Sequence, residues 1–292
     1  MAEPYNALTP NQKQQTAITL PPGPLMILAG AGTGKTYTLE NRIVHLIERY
    51  NVDPQHILAI TYTERAAKEL KTRIINRVVQ NAQHMTVSTF HAFCYRLSTD
   101  FGDGRNRQLL DESEAIHMLL ERFDELGPFL SDEFPMDPQK AVIESFIPFF
   151  NRSRDELIDP TELDVPDTND EGPITEEIAN QLRDLQRIYP QFQKWKKEVK
   201  VVDFGDMILS AYHLLKSEKF VLKKAQNQYR HIIVDEFQDN NFALNEIMGL
   251  IAGYRQFISV VGDDDQVIYS FRGANSYNIN NFENTYGSHP LY

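Results

Sequence analysis

The stretch AGAGTGKT occupies residues 29–36 and stands between the apolar run LMIL at 25–28 and a helical pattern. Glycines let successive backbone N–H groups curl around phosphate oxygens, and a helix that begins at the loop adds the positive end of its dipole. In such a loop Lys35 reaches the β- and γ-phosphates, and the Thr36 hydroxyl binds Mg²⁺. The sequence therefore predicts a nucleoside triphosphate site built from Ala29, Gly30, Ala31, Gly32, Thr33, Gly34, Lys35 and Thr36. A glycine-rich turn without a ligand is the alternative, and the strand and helix flanks weigh against it.

Composition limits the class of protein. The chain has 292 residues, of which 41% are hydrophobic and 24% charged, as is usual for a soluble globular protein. No charged leader with an apolar stretch opens the sequence, and no run is long enough to cross a bilayer, so we expect a cytoplasmic protein without a membrane partner. The single Cys94 excludes an internal disulfide and a thiolate metal cage.

The net charge of −12 argues against a general nucleic-acid binder, because phosphate neutralisation needs a basic surface. Many of the acidic residues lie between 155 and 177, in a segment that three prolines interrupt. This segment is predicted to be a solvated linker, and it biases the net charge of the whole chain. Any contact with nucleic acid must therefore be local.

Strands and helices alternate at both ends of the chain. Apolar runs predict strands at 25–28, 57–62, 85–90, 231–234 and 257–261, and helical spacing predicts helices at 36–50 and 64–81. Between about 100 and 200 the pattern is helical, with segments at 112–126, 139–150 and 176–199. Such an order predicts an α/β domain with a parallel sheet, made from both ends of the chain and interrupted by an all-helical subdomain.

A carboxylate pair, Asp235 and Glu236, directly follows the predicted strand 231–234. Ligands of open α/β sheets bind at the carboxyl ends of the strands, so this pair is expected to face Lys35 and Thr36. Asp235 would hold Mg²⁺, and Glu236 would orient and deprotonate the water that attacks the γ-phosphorus. A solvent-facing acidic turn is the alternative.

Five ordered strings resemble the motifs of superfamily 1A DNA helicases of the UvrD, Rep and PcrA type. They are AGAGTGKT (29–36), AITYTERAAKEL (59–70), VSTFHAFCYRL (87–97), VDEFQDNN (234–241) and VGDDDQVIYSFRGA (261–274). The opening LTPNQ at 8–12 also looks like the family's glutamine motif, which implies that the Gln12 amide reads adenine and that ATP is the nucleotide. The resemblance implies a RecA-like P-loop NTPase fold, with residues 1–99 and 203–292 forming the RecA-like domain and 100–202 the helical subdomain.

The resemblance also implies further site residues. Gln266 would sense the γ-phosphate, and Gln238 and Asp239 would link the hydrolysis site to neighbouring motifs or serve only to hold a loop. For DNA, it points to residues at the same sheet edge, where bases stack on aromatic rings. These residues are Tyr62, Thr63, Thr89, Phe90, His91, Tyr269, Phe271 and Arg272. Tyr62 and Phe271 stand where many relatives have Phe and Trp, and Phe90 directly follows a strand, so a place in the core is its alternative.

The family implies the function of the whole protein: an ATP-dependent helicase that translocates 3′ to 5′ on single-stranded DNA, acts at junctions of single and double strands and serves DNA repair or replication. Its ATP site lies between two RecA-like domains. We expect the chain to be the N-terminal part of a longer protein whose second RecA-like domain is the missing partner, so that it hydrolyses ATP slowly or not at all by itself. The alternatives are the ATP-binding subunit of a helicase-nuclease and a nucleotide-gated DNA-binding module without unwinding activity.

Overall fold

The computed structural model of the protein describes residues 9–30, 32–78, 82–102, 106–165, 174–263, 282 and 284–287. The chain divides into two compact units, which we call unit 1 (1–93 with 215–292) and unit 2 (94–214). The domain boundaries that the sequence predicts stand at 99/100 and 202/203. None of the described helices is long and apolar enough to span a membrane.

The first part of unit 1 alternates helices and strands. Its elements are α1 (Gln12–Thr19), β1 (Leu25–Leu28), α2 (Lys35–Tyr50), β2 (Ile57–Thr61), α3 (Glu64–Arg77), β3 (Thr86–Thr89) and α4 (Phe90–Phe101), the last of which runs on into unit 2.

Unit 2 consists mostly of helices. Its elements are β4 (Gln108–Leu109), α5 (Glu112–Glu121), α6 (Glu133–Met136), α7 (Pro138–Lys140), a π-helical stretch (Ala141–Phe146), α8 (Ile147–Asp155), α9 (Glu176–Glu198), β5 (Val201–Val202) and α10 (Phe204–Ser217). The chain then returns to unit 1 with α11 (Lys219–Gln228), β6 (His231–Val234), α12 (Phe242–Ala252) and β7 (Ile258–Gly262).

The five strands of unit 1 form one parallel sheet in the order β1-β7-β6-β2-β3. Strand β7 pairs Ser259 with Leu25 of β1 and Ile258 with Ile232 of β6, so it lies between the strand before the phosphate loop and the strand before the carboxylate pair. Because all strands run in the same direction, the loops after β1, β2, β3, β6 and β7 emerge at one edge of the sheet. The phosphate loop follows β1 and the carboxylate pair follows β6, so both emerge at this carboxyl edge.

The core of unit 1 lies between this sheet and the helices beside it. Ile43 and Ile47 of α2 are completely buried, and they belong to one apolar cluster with Ile233 of β6 and Val261 of β7. All residues of β2, β6 and β7 are buried, as expected for strands that helices cover on both faces. The apolar stripe of α2 thus fixes the helix that begins at the phosphate loop.

The core of unit 2 is aromatic. Phe150 stacks on Phe192 with ring centroids 5.7 Å apart, and Phe134 meets Phe146 edge to face at 5.0 Å. Strands β4 and β5 form a parallel pair in this unit. The prediction of an all-helical subdomain missed this pair, because a strand of two residues shows no periodicity. The helical character of the insertion and the parallel α/β sheet agree with the prediction.

Candidate active site

The phosphate loop connects β1 to α2 at the carboxyl edge. The backbone of Gly32 has φ 74° and that of Gly34 has φ 90°, a region that favours glycine. Helix α2 begins at Lys35, and the Thr38 N–H donates to the Gly34 carbonyl at 2.9 Å. The Thr33 hydroxyl donates to the Gly30 carbonyl at 2.7 Å and closes the turn. This geometry presents the N-terminus of a 16-residue helix to an anion.

Lys35 forms ion pairs with two carboxylates from the loops after other strands. Its Nζ lies 3.0 Å from Asp263 Oδ2, just after β7, and 3.4 Å from Glu236 Oε2, after β6. Burial lowers the pKa of Lys35, but the hydrogen bonds and charges of Asp263 and Glu236 outweigh it, so the pKa is raised above its ordinary value. The lysine is therefore a cation placed where three loops of the sheet edge meet.

Gln238 joins the two carboxylates. Its Nε2 donates to Glu236 Oε2 at 2.8 Å, and its Oε1 accepts from the Asp263 backbone N–H at 3.1 Å. The side chain is completely buried, and a Cβ on Gly262 would stand 3.2 Å from its Oε1. Gln238 therefore connects the loops after β6 and β7 by hydrogen bonds, and its role in linking hydrolysis to neighbouring motifs stays a prediction.

The carboxylate pair occupies two different environments. Asp235 is half-buried, and burial together with the charge of Glu236 raises its pKa to about 6. Glu236 has φ 52°, which is uncommon for a residue other than glycine and costs on the order of 1–3 kcal/mol. Such strain is found where a side chain must be aimed at a ligand.

The donor set suits Mg²⁺. Carboxylate and hydroxyl oxygens are the ligands that this hard cation prefers, and Asp235 and Thr36 supply one of each. Burial and the charge of Glu236 disfavour the ionised form of Asp235, and a divalent cation bound to this carboxylate would favour it. Among the described residues no group of three or more His, Cys, Asp and Glu side chains is arranged to hold a metal ion.

A cavity of 200 Å³ adjoins the loop, between α1 and α2. Lys13, Gln14, Thr33 and Lys35 are among the residues that line it, and Gln12 is not. The Gln14 Nε2 donates to the Thr33 carbonyl at 2.9 Å, while its Oε1 accepts from the Asn11 N–H at 2.9 Å. Gln12 is exposed and Gln14 faces the loop, because α1 turns the two side chains to different sides. The reading of adenine by Gln12 stays a prediction.

The described residues that are predicted to contact DNA differ in exposure and in hydrogen bonding. Tyr62, after β2, is 68% exposed, and His91 is half-buried with a pKa lowered by burial. Thr63 caps α3 by accepting from the Ala66 N–H at 3.1 Å, and Thr89 donates to Glu64 Oε1 at 3.2 Å. Phe90 is only 8% exposed and packs in the core, which is the alternative that its position after a strand left open.

Five predicted site residues lie outside the described part of the chain: Ala31, Gln266, Tyr269, Phe271 and Arg272. Sequence reasoning missed Gln14 and Asp263. For Gln14 the signal was available, since the Asn11 cap fixes where α1 begins and therefore which glutamines share the face toward β1. For Asp263 it was not, because three aspartates follow one another at 263–265 and only the sheet order brings the first of them to Lys35.

Comparisons with known proteins point to one family. The family model described as the UvrD/REP helicase N-terminal domain matches residues 10–287. DNA helicase II of Haemophilus influenzae is 34% identical over 280 residues, which are 93% of this chain and 36% of the relative. ATP-dependent DNA helicase PcrA of Leuconostoc citreum is 34% identical over 94% of this chain and 35% of its own length. The corresponding PcrA of Staphylococcus aureus is 32% identical over 94% of this chain.

The chain thus spans about a third of the length of the curated relatives it matches. The family match covers residues 10–93 and 215–287 of unit 1 and the whole of unit 2, with the phosphate loop, the carboxylate pair and Asp263 inside it. The chain belongs to the UvrD/REP helicase N-terminal domain family.

Proposed function

We propose that the chain is the ATP-binding N-terminal part of a DNA helicase that moves 3′ to 5′ along single-stranded DNA, with domains divided near 99/100 and 202/203. The observation that carries this proposal is the meeting of Lys35, Glu236 and Asp263 at the carboxyl edge, where the exposed Tyr62 follows β2. The names of the relatives, DNA helicase II and ATP-dependent DNA helicase PcrA, support it.

Each residue of the site has a task in ATP hydrolysis. The loop N–H groups and the α2 N-terminus bind the phosphates, and Lys35 leaves its carboxylate partners for the β- and γ-phosphate oxygens. Thr36 and Asp235 would hold Mg²⁺, which neutralises charge on those oxygens when bound. Glu236 orients the attacking water and accepts its proton. Gln238 then reports the state of Glu236 to the segment after β7, which carries Gln266.

The DNA site is proposed at the same edge. The exposed ring of Tyr62 offers a stacking surface, and Tyr269, Phe271 and Arg272 belong to the segment that begins after Asp263. Nucleotide binding would release Lys35 from Asp263. Because the DNA-binding residues follow Asp263 in the same segment, this release would affect them too. We propose single-stranded DNA and its junctions with duplex as the substrate, and a role in repair or replication in the cytoplasm.

A second RecA-like domain is the proposed partner of this surface. Arginine fingers from a partner increase phosphoryl transfer by about 10³–10⁵-fold, and this half-site would need them. The test measures ATP turnover by the full-length protein and by this chain, with and without oligothymidylate. We expect single-stranded DNA to stimulate the full-length protein, Lys35→Ala to abolish turnover, and this chain to be nearly inactive. Full turnover by this chain alone would refute the split site.

Gln14→Ala is expected to weaken ATP binding by about 5–30-fold, because it removes the hydrogen bond that holds Thr33 and one side of the cavity beside the loop. Gln12→Ala is the matched control on the same helix, and it should leave binding unchanged. Isothermal titration calorimetry with ATP and Mg²⁺ measures both variants. If Gln12→Ala weakens binding and Gln14→Ala does not, the assignment to Gln14 is wrong and the original one stands.

A further inference from the structure

A second cavity lies at the opposite edge of the sheet in unit 1. It measures 710 Å³, and residues that lie one or two positions before strands line it: His56 before β2, His84 before β3 and Arg230 before β6. These are the amino ends of parallel strands, whereas the phosphate loop follows a carboxyl end. A strand of four to five residues separates the two edges by about 13–17 Å, so this amino-edge cleft is distinct from the ATP site.

One face of α11 forms the wall of the amino-edge cleft. Phe220, Lys223, Lys224 and Asn227 are spaced as i, i+3, i+4 and i+7, and all four line the cavity. The opposite face is buried through Val221 and Ala225. Phe220 is 72% exposed, so this aromatic ring has no place in the core and stands beside two lysines.

The charge of the cleft differs from that of the whole chain. Residues 219–231 contain four lysines and arginines and no aspartate or glutamate, in a sequence of net charge −12. None of the described residues that line the cavity is acidic, and besides the cations, the histidines and Phe220 they are asparagine and glutamine. Three of the lining residues, Lys223, Lys224 and Arg230, are cations at neutral pH, so the cleft is a local positive surface.

Backbone contacts fix the floor of the cleft. The His56 ring Nδ1 lies 2.9 Å from the Gln228 carbonyl, and the Arg230 N–H donates to the His56 carbonyl at 2.9 Å. The Arg230 Nε donates to the Asn227 carbonyl at 3.1 Å. The end of α11 is thereby tied to the starts of β2 and β6, so the cationic groups are set on a rigid support.

We propose that the amino-edge cleft binds single-stranded nucleic acid, with backbone phosphates on Lys223, Lys224 and Arg230 and a base stacked on Phe220. Sites for single strands combine cations that follow the backbone with an aromatic ring whose face is open to a base, and this cleft has both. The amide side chains add donors and acceptors for base edges. This contact goes beyond the proposed function, because it lies away from the carboxyl edge and uses no residue of the ATP site.

The test uses Phe220→Trp in the full 292-residue chain. The sequence has a single tryptophan, the buried Trp195 of unit 2, so the added indole reports on the cleft and the wild type gives the background signal. We expect oligothymidylate to quench the added indole by stacking. With Lys223→Glu and Lys224→Glu added, affinity should fall at least tenfold. The slope of log affinity against log salt should fall by about 1.4, at about 0.7 per lost phosphate contact.

Two variants serve as controls. Lys219→Glu makes the same charge reversal on the same helix outside the lining and should change affinity less than twofold. Tyr62→Ala, at the carboxyl edge, should leave the quenching intact, which separates this proposal from the DNA site proposed above. The inference is overturned if oligothymidylate does not quench the indole, or if the substitutions at Lys223 and Lys224 leave the quenching unchanged. It is also overturned if polyglutamate quenches equally, which would make the cleft a site for acidic polypeptides.

Discussion

Glu236→Gln is expected to lower the DNA-stimulated ATP turnover of the full-length protein by about 10²–10⁴-fold, the usual contribution of a general base. Glutamine keeps the size of the side chain and an oxygen that accepts from Gln238, which donates to Glu236 at 2.8 Å. It cannot accept a proton from water. The chemical step should therefore fail while nucleotide binding persists, since the substitution leaves Lys35 and the phosphate loop unchanged.

Two measurements check this expectation. Steady-state ATP hydrolysis gives the loss of turnover, and titration with a fluorescent ATP analogue gives the affinity of the same variant. Glu48→Gln, on the exposed end of α2, is the control and should behave as wild type. Turnover within twofold of wild type in Glu236→Gln would show that another group activates the water.

Asp203→Ala is expected to lower the free energy of unfolding of unit 2 by about 3–5 kcal/mol, the usual cost of breaking a buried ion pair. Asp203 accepts from Arg154 Nη1 at 2.6 and 2.7 Å and from Lys196 Nζ at 2.7 Å. These two cations are 4% and 1% exposed, and without Asp203 the carboxylate that they still share among the described residues is Asp206. The substitution also removes Asp203 Oδ1, which accepts a hydrogen bond from the Asp206 N–H at 2.9 Å.

Urea unfolding followed by the fluorescence of Trp195, which lies in unit 2, measures this loss. The control is Glu156→Ala, which breaks the more exposed pair with Arg152 at 2.9 Å. Exposed pairs contribute about 0–1 kcal/mol, so the control should barely move the transition. Equal effects of the two variants would mean that burial does not increase the contribution of the Asp203 ion pairs to the free energy of unfolding.

The same cluster predicts a pH dependence. Burial raises the pKa of Asp203, but the charges of Arg154 and Lys196 outweigh it and bring the pKa down to about 2. A folded-state pKa below the unfolded value means that the unfolded state binds the proton first, so the stabilisation is complete above about pH 4 and declines toward pH 2. The urea midpoint of wild type should fall on acidification through this window, and that of Asp203→Asn should fall less.

Local patterns in the sequence were sufficient for most elements of the fold. The strands at Leu25–Leu28 and His231–Val234 have the predicted bounds, and α9 of unit 2 spans Glu176–Glu198 where 176–199 was predicted. Apolar runs and helical spacing act over a few residues, which is why they can be recognised without tertiary contacts. The sequence did not predict the strands β4 and β5, because a strand of two residues is too short to show an alternating pattern.

The sequence by itself determined the chemistry of this protein: a phosphate loop on a strand and helix, and a carboxylate pair after an apolar strand. Both depend on residue types at fixed local spacing. Only the tertiary structure decided that Asp263 lies 3.0 Å from Lys35 and that Gln14, rather than Gln12, contacts the loop. It also decided that Phe90 is buried and that α11 turns Phe220 and two lysines toward the amino edge. These facts follow from the order of strands and the rotation of helices, which bring together residues far apart in the chain.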